Sequence, residues 1–138
     1  MRIEETRDLG TCRALRRAVF IKEQNVPEAE EWDGKDEDAL HLLAWDGDTP
    51  VGTARILLQG DTGKIGRVCV LPQARGTGLG AALIRAALDV LRRQAGVTQA
   101  RLGSQTHAIG FYEKLGFTAY GPEYDDAGIP HRDMARAV

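Results

Sequence analysis

Cysteine is scarce in this chain of 138 residues: only Cys12 and Cys69 occur, in no metal or redox spacing. Cys12 falls in a helical pattern and Cys69 in a strand, which predicts two reduced thiols in a cytoplasmic protein. The three histidines, His41, His107 and His131, form no zinc pattern, so no metal is expected. No apolar run approaches the length of a membrane span. The first residues, Met1-Arg2-Ile3-Glu4-Glu5, lack the apolar core of a signal peptide. A formal net charge of −2 leaves no electrostatic case for nucleic acid or an anionic membrane as a partner. Internal repeats, low-complexity tracts and linkers are missing too. These absences predict a single domain over residues 1–138, long enough for a core of its own, with an ordinary 43% of apolar residues.

What is present is concentrated between Val68 and Gly80. An apolar strand, Val68-Cys69-Val70-Leu71, runs into Pro72. The basic, glycine-rich turn Gln73-Ala74-Arg75-Gly76-Thr77-Gly78-Leu79-Gly80 follows, and then the helical pattern Ala81–Leu88. Glycines let a backbone approach a ligand closely. The first N–H groups of a helix have no internal partner and can face a phosphate. Arg75 adds a fixed positive charge. A P-loop is excluded because no Lys-Ser/Thr pair follows the glycines. A dinucleotide fingerprint is excluded by the G-x-G-x-G spacing and by its place halfway along the chain.

A second segment, His107-Ala108-Ile109-Gly110-Phe111-Tyr112-Glu113-Lys114-Leu115-Gly116-Phe117, reads as a short helix. Ala108, Phe111, Tyr112 and Leu115 recur at i, i+3, i+4 and i+7 and so share a face. Gly116 stands where a left-handed cap ends a helix, and Phe117 opens a strand. Around these two segments the pattern predicts a strand over Met1–Thr6 and a helix over Leu9–Gln24, with Leu15, Val19 and Phe20 inward and Arg13, Arg16 and Arg17 on the wet side. Val26-Pro27 stops that helix. Residues 28–38 read as a dense acidic loop or short helix around Trp32, mostly solvated. Strands over Ala39–Trp45, Val51–Leu58 and Lys64–Val70, separated by turns, form an antiparallel meander. A helix over Leu79–Ala95 leads by a crossover to Val97–Leu102, which therefore runs parallel to the preceding strand. Phe117–Tyr120 and His131–Ala137 close the sheet as a hairpin.

Gln73, Gly76 and Gly78 stand in the three places of the Q/R-x-x-G-x-G/A signature of the GCN5-related N-acetyltransferases. His107–Phe117 resembles that family's A-x-x-F-Y-x-K-x-G-F element. The order β-α-β-β-β-α-β-α-β-β is similar to the family fold over essentially the whole chain. The resemblance is to the bacterial ElaA-like branch through Val19–Pro27, Glu31 and Asp33, and through Tyr124–His131 with its Gly-Ile-Pro-His. It implies an α/β protein with a mixed sheet, the acyl-CoA N-acyltransferase fold, whose two central parallel strands splay apart.

It also implies an enzyme that moves an acetyl group from acetyl-CoA to a primary amine of a small molecule by direct attack in a ternary complex. The coenzyme is then the one co-substrate, and a homodimer is a further expectation. The pantetheine arm would pair with Val68 and Val70 across Cys69 like an added strand. The pyrophosphate would lie on Arg75, Gly76, Thr77, Gly78, Leu79 and Gly80 beside Gln73. Gln105, His107 and Phe111 would complete the coenzyme site, and Tyr112 would protonate the leaving thiolate.

Many relatives carry a glutamate on the central strand as base. Arg67 stands near that place, and arginine cannot deprotonate an amine at neutral pH. Glu31 and Asp33 are the first replacements, with Glu23 and His107 behind them. Glu23, Arg67, Tyr124 and His131 are expected to meet the acceptor. Two other readings stay open. Arg16/Arg17-x-x-Phe20, Trp32-Asp33 and Arg67-Val68 also resemble acyl-homoserine-lactone synthases, and a non-catalytic CoA-binding module would leave Tyr112 structural.

Overall fold

In the computed structural model, which describes residues 1–138, β1 (Arg2–Thr6), β2 (Leu40–Asp46), β3 (Thr49–Gln59) and β4 (Thr62–Val70) pair antiparallel in succession. β5 (Gln99–Gln105) then joins β4 in parallel. The closing hairpin is longer than its apolar pattern suggests, with β6 at Thr118–Asp126 and β7 at Ile129–Ala137. β7 pairs with β5 and leaves β6 at the edge, so the sheet order is β1-β2-β3-β4-β5-β7-β6.

Alternation along the strands sorts two cores. Leu42 and Ala44 of β2 face one side and join Leu83, Ile84, Ala87 and Leu91 of α3 (Leu79–Arg92). Leu43 faces the other side and joins Cys12, Leu15, Val19 and Cys69 beneath α1 (Leu9–Arg16). Burial of each large aliphatic side chain contributes roughly 1.5–3 kcal/mol, so the α3 stripe holds that helix on the sheet. Asp8 caps α1 by accepting from the Thr11 N–H at 3.1 Å.

β4 and β5 are paired only at Thr62↔Gln99, Gly63↔Ala100 and Lys64↔Arg101. Beyond Lys64 the two strands part. On its other side β4 carries a bulge: Thr53 opposes Cys69 while Arg55 opposes Gly66, so Arg67 and Val68 share Ala54 as partner. Arg67 takes φ +50°, a left-handed conformation uncommon for a residue with a side chain. Bulge and splay fall at the same residues, which re-aims Arg67 toward the gap.

The predicted helix over Leu9–Gln24 is corrected at its second half. After Arg16 the chain widens into a π-helical segment, Arg17–Glu23, closed by the Gln24 N–H donating to the Val19 carbonyl at 3.0 Å. Such an insertion rotates the residues after it relative to a regular helix. Arg16, expected on the wet side, is 1% exposed.

Candidate active site

The glycine turn delivers an anion cradle. Gly76 and Gly78 have φ +77° and +85°, and Gly78 is the left-handed residue that starts α3, with no side-chain cap on the helix. A Cβ at either glycine would meet nothing within 4 Å, so their backbone conformation, rather than crowding, requires glycine there. The N–H groups of Gly76 through Gly80 donate to no acceptor in the chain. Thr77 Oγ1 donates to the Ala74 carbonyl at 2.6 Å and braces the turn. Arg75 Nε donates to the Val70 carbonyl at 3.0 Å, and its two terminal nitrogens each donate to Glu23 at 2.7 Å. Glu23 therefore lies beside the cradle and does not line the cleft where acceptor contact was expected of it. Its carboxyl is held below the usual range mainly by the Arg75 hydrogen bonds.

The gap between β4 and β5 opens as a cleft of about 320 Å³. Gly66, Arg67 and Val68 of β4 form its floor, and Phe20, Gln24, Glu30 and Glu31 close one side. Gln105, Tyr112, Tyr124 and His131 stand on the other. Gln105 Nε2 donates across to Gln24 Oε1 at 3.2 Å. Tyr112 sits in α4 (Ile109–Glu113), which follows a 3-10 turn at Thr106–Ala108. Gly116 ends it with φ +90°: the Phe117 N–H reaches the Tyr112 carbonyl at 3.1 Å and the Gly116 N–H the Glu113 carbonyl at 3.0 Å, a Schellman cap. Burial pushes the Tyr112 phenol above its ordinary value of 10.0, so it keeps its proton at neutral pH. The phenol makes no hydrogen bond within the chain, and its ring packs edge-on to Phe117. Phe111 departs from the predicted stripe. It is 41% exposed and lies toward Gly80, whose Cβ would be 3.6 Å from the ring.

The acidic segment, expected to be mostly solvated, is ordered at its centre by four arginines from three elements, α1, β3 and β4. It includes α2 (Glu28–Glu31) and a 3-10 turn at Asp36–Asp38. Arg16 Nε donates to Glu31 at 2.8 Å and its Nη1 to Asp36 at 2.7 Å, and all three residues are buried. Arg55 of β3 grips Asp33 with two bonds of 2.8 Å and reaches Asp36 at 3.1 Å. Arg13 adds a bond to Asp36 at 3.1 Å. Arg67 Nε lies 2.8 Å from Glu31 Oε2 without aiming its N–H along that line, and Nη2 donates to the Glu31 carbonyl at 3.2 Å.

Hydrogen bonds from Arg55 hold the Asp33 carboxyl well below its usual range. For Asp36 burial pushes upward, yet the bonds from Arg16, Arg13 and Arg55 prevail and set it at about 2. The carboxylates expected to take a proton from an amine are thus engaged by guanidinium groups. Charge compensation explains the order: a buried carboxylate or guanidinium without a partner costs several kcal/mol, in the range of ~3–5.

The remaining expected residues are placed as follows. Tyr124 crosses from β6 over β7, and its Oη donates to Asp133 at 2.8 Å. It fits because β5 has glycine beneath it, where a Cβ at Gly103 would sit 2.5 Å from that oxygen. His131 stacks on Tyr124, with ring centroids 5.9 Å apart. His107 lies outside the cleft, its Nε2 2.7 Å from Gln105 Oε1. Asp33 lies outside the cleft lining as well, while Cys69 is buried under α1 and can offer a ligand only its backbone. Phe20, Gln24 and Glu30 line the cleft although the sequence did not single them out as site residues. The π-helical turn that aims Phe20 and Gln24 has no signature in the residue pattern.

The acetyltransferase (GNAT) domain family matches residues 5–138. A Bacillus subtilis protein named as an acetyltransferase is 41% identical over 138 residues, 98% of this chain and 93% of that protein. ElaA of Escherichia coli is 39% identical over 129 residues, 90% of this chain and 84% of ElaA. The crystal structure of ElaA aligns at TM-score 0.87 and 33% identity over 98% of each chain. An acyl-CoA N-acyltransferase of Pseudomonas aeruginosa aligns at TM-score 0.89 and 32% identity over 99% of this chain and 100% of its own. With the splayed β4 and β5, the glycine cradle and the tyrosine helix already in place, these similarities show that the chain is an acyltransferase of the GNAT acetyltransferase family, in its ElaA-like branch.

Proposed function

We propose that residues 1–138 act as one domain that transfers an acetyl group from acetyl-CoA to a primary amine of a small molecule in the cytoplasm. One observation carries the reading: an anion cradle at the start of α3 and a half-buried, unbonded phenol on α4 flank the same parted pair of strands. The coenzyme pyrophosphate rests on the N–H groups of Gly76 to Gly80. Its amide-rich arm lies along Val68, Cys69 and Val70 and satisfies strand groups that β5 does not pair. That places the thioester beside Tyr112. The amine then attacks the thioester carbonyl carbon, backbone N–H groups of the β4 bulge hold the oxyanion, and the thiolate leaves with the phenol proton. Glu31 and Asp33 act in this reading by holding Arg67 and Arg55, not as the base.

Free thiol released from acetyl-CoA is the measurement, run against a panel of primary amines with mass spectrometry of the products. The expected outcome is thiol release that requires both an amine and the coenzyme, with an N-acetylated product of matching mass. Tight coenzyme binding by calorimetry with no acetylated amine anywhere in the panel would overturn it in favour of a binding module.

A further inference from the structure

The base that the reaction requires is left open by the arginine-bound carboxylates, and a different residue on the cleft wall has the geometry for it. We propose that His131 is the general base, taking the proton from the acceptor ammonium through Nε2. This assignment rests on the acetyl-transfer reading of the cleft.

His131 Nδ1 lies 2.7 Å from the Ile129 carbonyl, two residues back on β7. A carbonyl only accepts, so Nδ1 must carry the proton. In the neutral ring Nε2 is then the bare acceptor, and it has no partner in the chain. The ring is further fixed by Tyr124 stacked on one face at 25° between planes. Tyr124 is itself tied to Asp133, so its hydroxyl proton is committed elsewhere. β7 is held on its other side by β5, with Gln105 directly opposite His131. His131 lines the same cleft as Tyr112 and Arg67, half-buried and open to it. The other two histidines do not compete. His41 is 4% exposed beneath α1 and its Nε2 is bound to the Asp36 carbonyl at 2.7 Å, and His107 lies outside the cleft.

The acceptor ammonium gives one proton to His131 Nε2. The freed nitrogen lone pair forms the C–N bond at the thioester carbonyl, and the C–S bond then breaks. Sulfur takes the Tyr112 proton, and the second proton lost by the new amide nitrogen restores the phenol. The imidazolium returns its proton to water, so each turnover releases one proton with one amide and one thiol.

Nitrogen-15 NMR of the imidazole in the whole protein tests the tautomer without any acceptor. A proton on Nδ1 at neutral ring charge is expected, and a proton on Nε2 overturns the proposal. His131→Gln and His131→Ala are then assayed by thiol release with the amines the panel selects, with benzylamine and ethanolamine as first probes. The expected result is a kcat lower by about 10²-fold in both, with the coenzyme KM within twofold of the parent protein. Imidazole added to the buffer restores part of the rate to His131→Ala and none to His131→Gln, whose side chain fills the space. Full kcat in His131→Gln overturns the assignment while acetyl transfer stands. Absence of thiol release from the parent protein overturns acetyl transfer and this assignment with it. A fall in kcat that imidazole does not restore in His131→Ala gives the ring a packing role instead.

Discussion

At the scale of single residues, Tyr112 has the simplest expectation. Its ring packs against Phe117 and Phe111, and only its hydroxyl remains for chemistry. Tyr112→Phe keeps the packing, and turnover is expected to fall about 10²-fold with coenzyme affinity unchanged by calorimetry. Unchanged turnover would make the tyrosine a core residue. The Arg67 guanidinium can serve a protein carboxylate or an anionic part of the substrate. Glu31 and Asp33 fill the first role, yet the side chain remains 24% exposed to the cleft. The charges around it do not cancel: Arg13, Arg16, Arg55 and Arg67 meet only Glu31, Asp33 and Asp36. Arg67→Ala is expected to raise the acceptor KM by about tenfold, the scale of one charge-assisted hydrogen bond, and to leave the coenzyme KM alone. Steady-state kinetics with either substrate varied decides it, and equal changes in both constants would remove Arg67 from the acceptor site.

At the scale of elements, the loop before α3 combines two demands on the backbone, positive φ at Gly76 and Gly78 and unpaired N–H groups beyond them. Gly78→Val forces a branched side chain into φ +85°, at a cost of about 1–3 kcal/mol to the turn. Coenzyme affinity is expected to fall at least about tenfold in calorimetry. Glu23 acts on the same element in the opposite sense, since its carboxylate occupies the Arg75 fork that a pyrophosphate would meet. Glu23→Gln is expected to tighten coenzyme binding by about threefold at low salt and by nothing measurable at high salt, as an exposed pair is screened.

This element was legible because glycine spacing and a helix start are local signals. The Gly116 cap was legible for the same reason. Two things were hidden: the π-helical widening after Arg16, and the partnership of Arg75 with a residue 52 positions earlier. Both depend on tertiary contacts that no local pattern encodes.

At the scale of the whole molecule, the places of β1 beside β2 and of β7 between β5 and β6 were not specified by any local pattern, but the β2–β3–β4 meander, the parallel β4–β5 pair and the closing hairpin followed from alternation and from the crossover needed to reach β5, so that part of the architecture was readable. The acidic segment was not. Its composition suggested solvation, and only the assembled sheet brings Arg55 and Arg67 to meet it while α1 supplies Arg13 and Arg16. The result is an ion network that joins α1, α2, β3 and β4 beside the cleft.

It gives the fold a pH dependence of definite sign. Asp36 has a folded pKa of about 2 against an ordinary 3.8, and Asp33 is lowered in the same direction. A lowered carboxyl binds fewer protons folded than unfolded, so its stabilisation is complete above the unfolded value. It is lost as pH falls from 3.8 toward 2. Urea midpoints are therefore expected to hold steady from neutral pH to about 5 and to drop steeply below about 4. Asp36→Asn leaves Arg16 and Arg55 short of a counter-charge, which costs about 3–5 kcal/mol at neutral pH, and it flattens the drop below pH 4 because one linked proton is gone. An acid limb equally steep in the variant and the parent protein would show that the network does not set the stability of the fold.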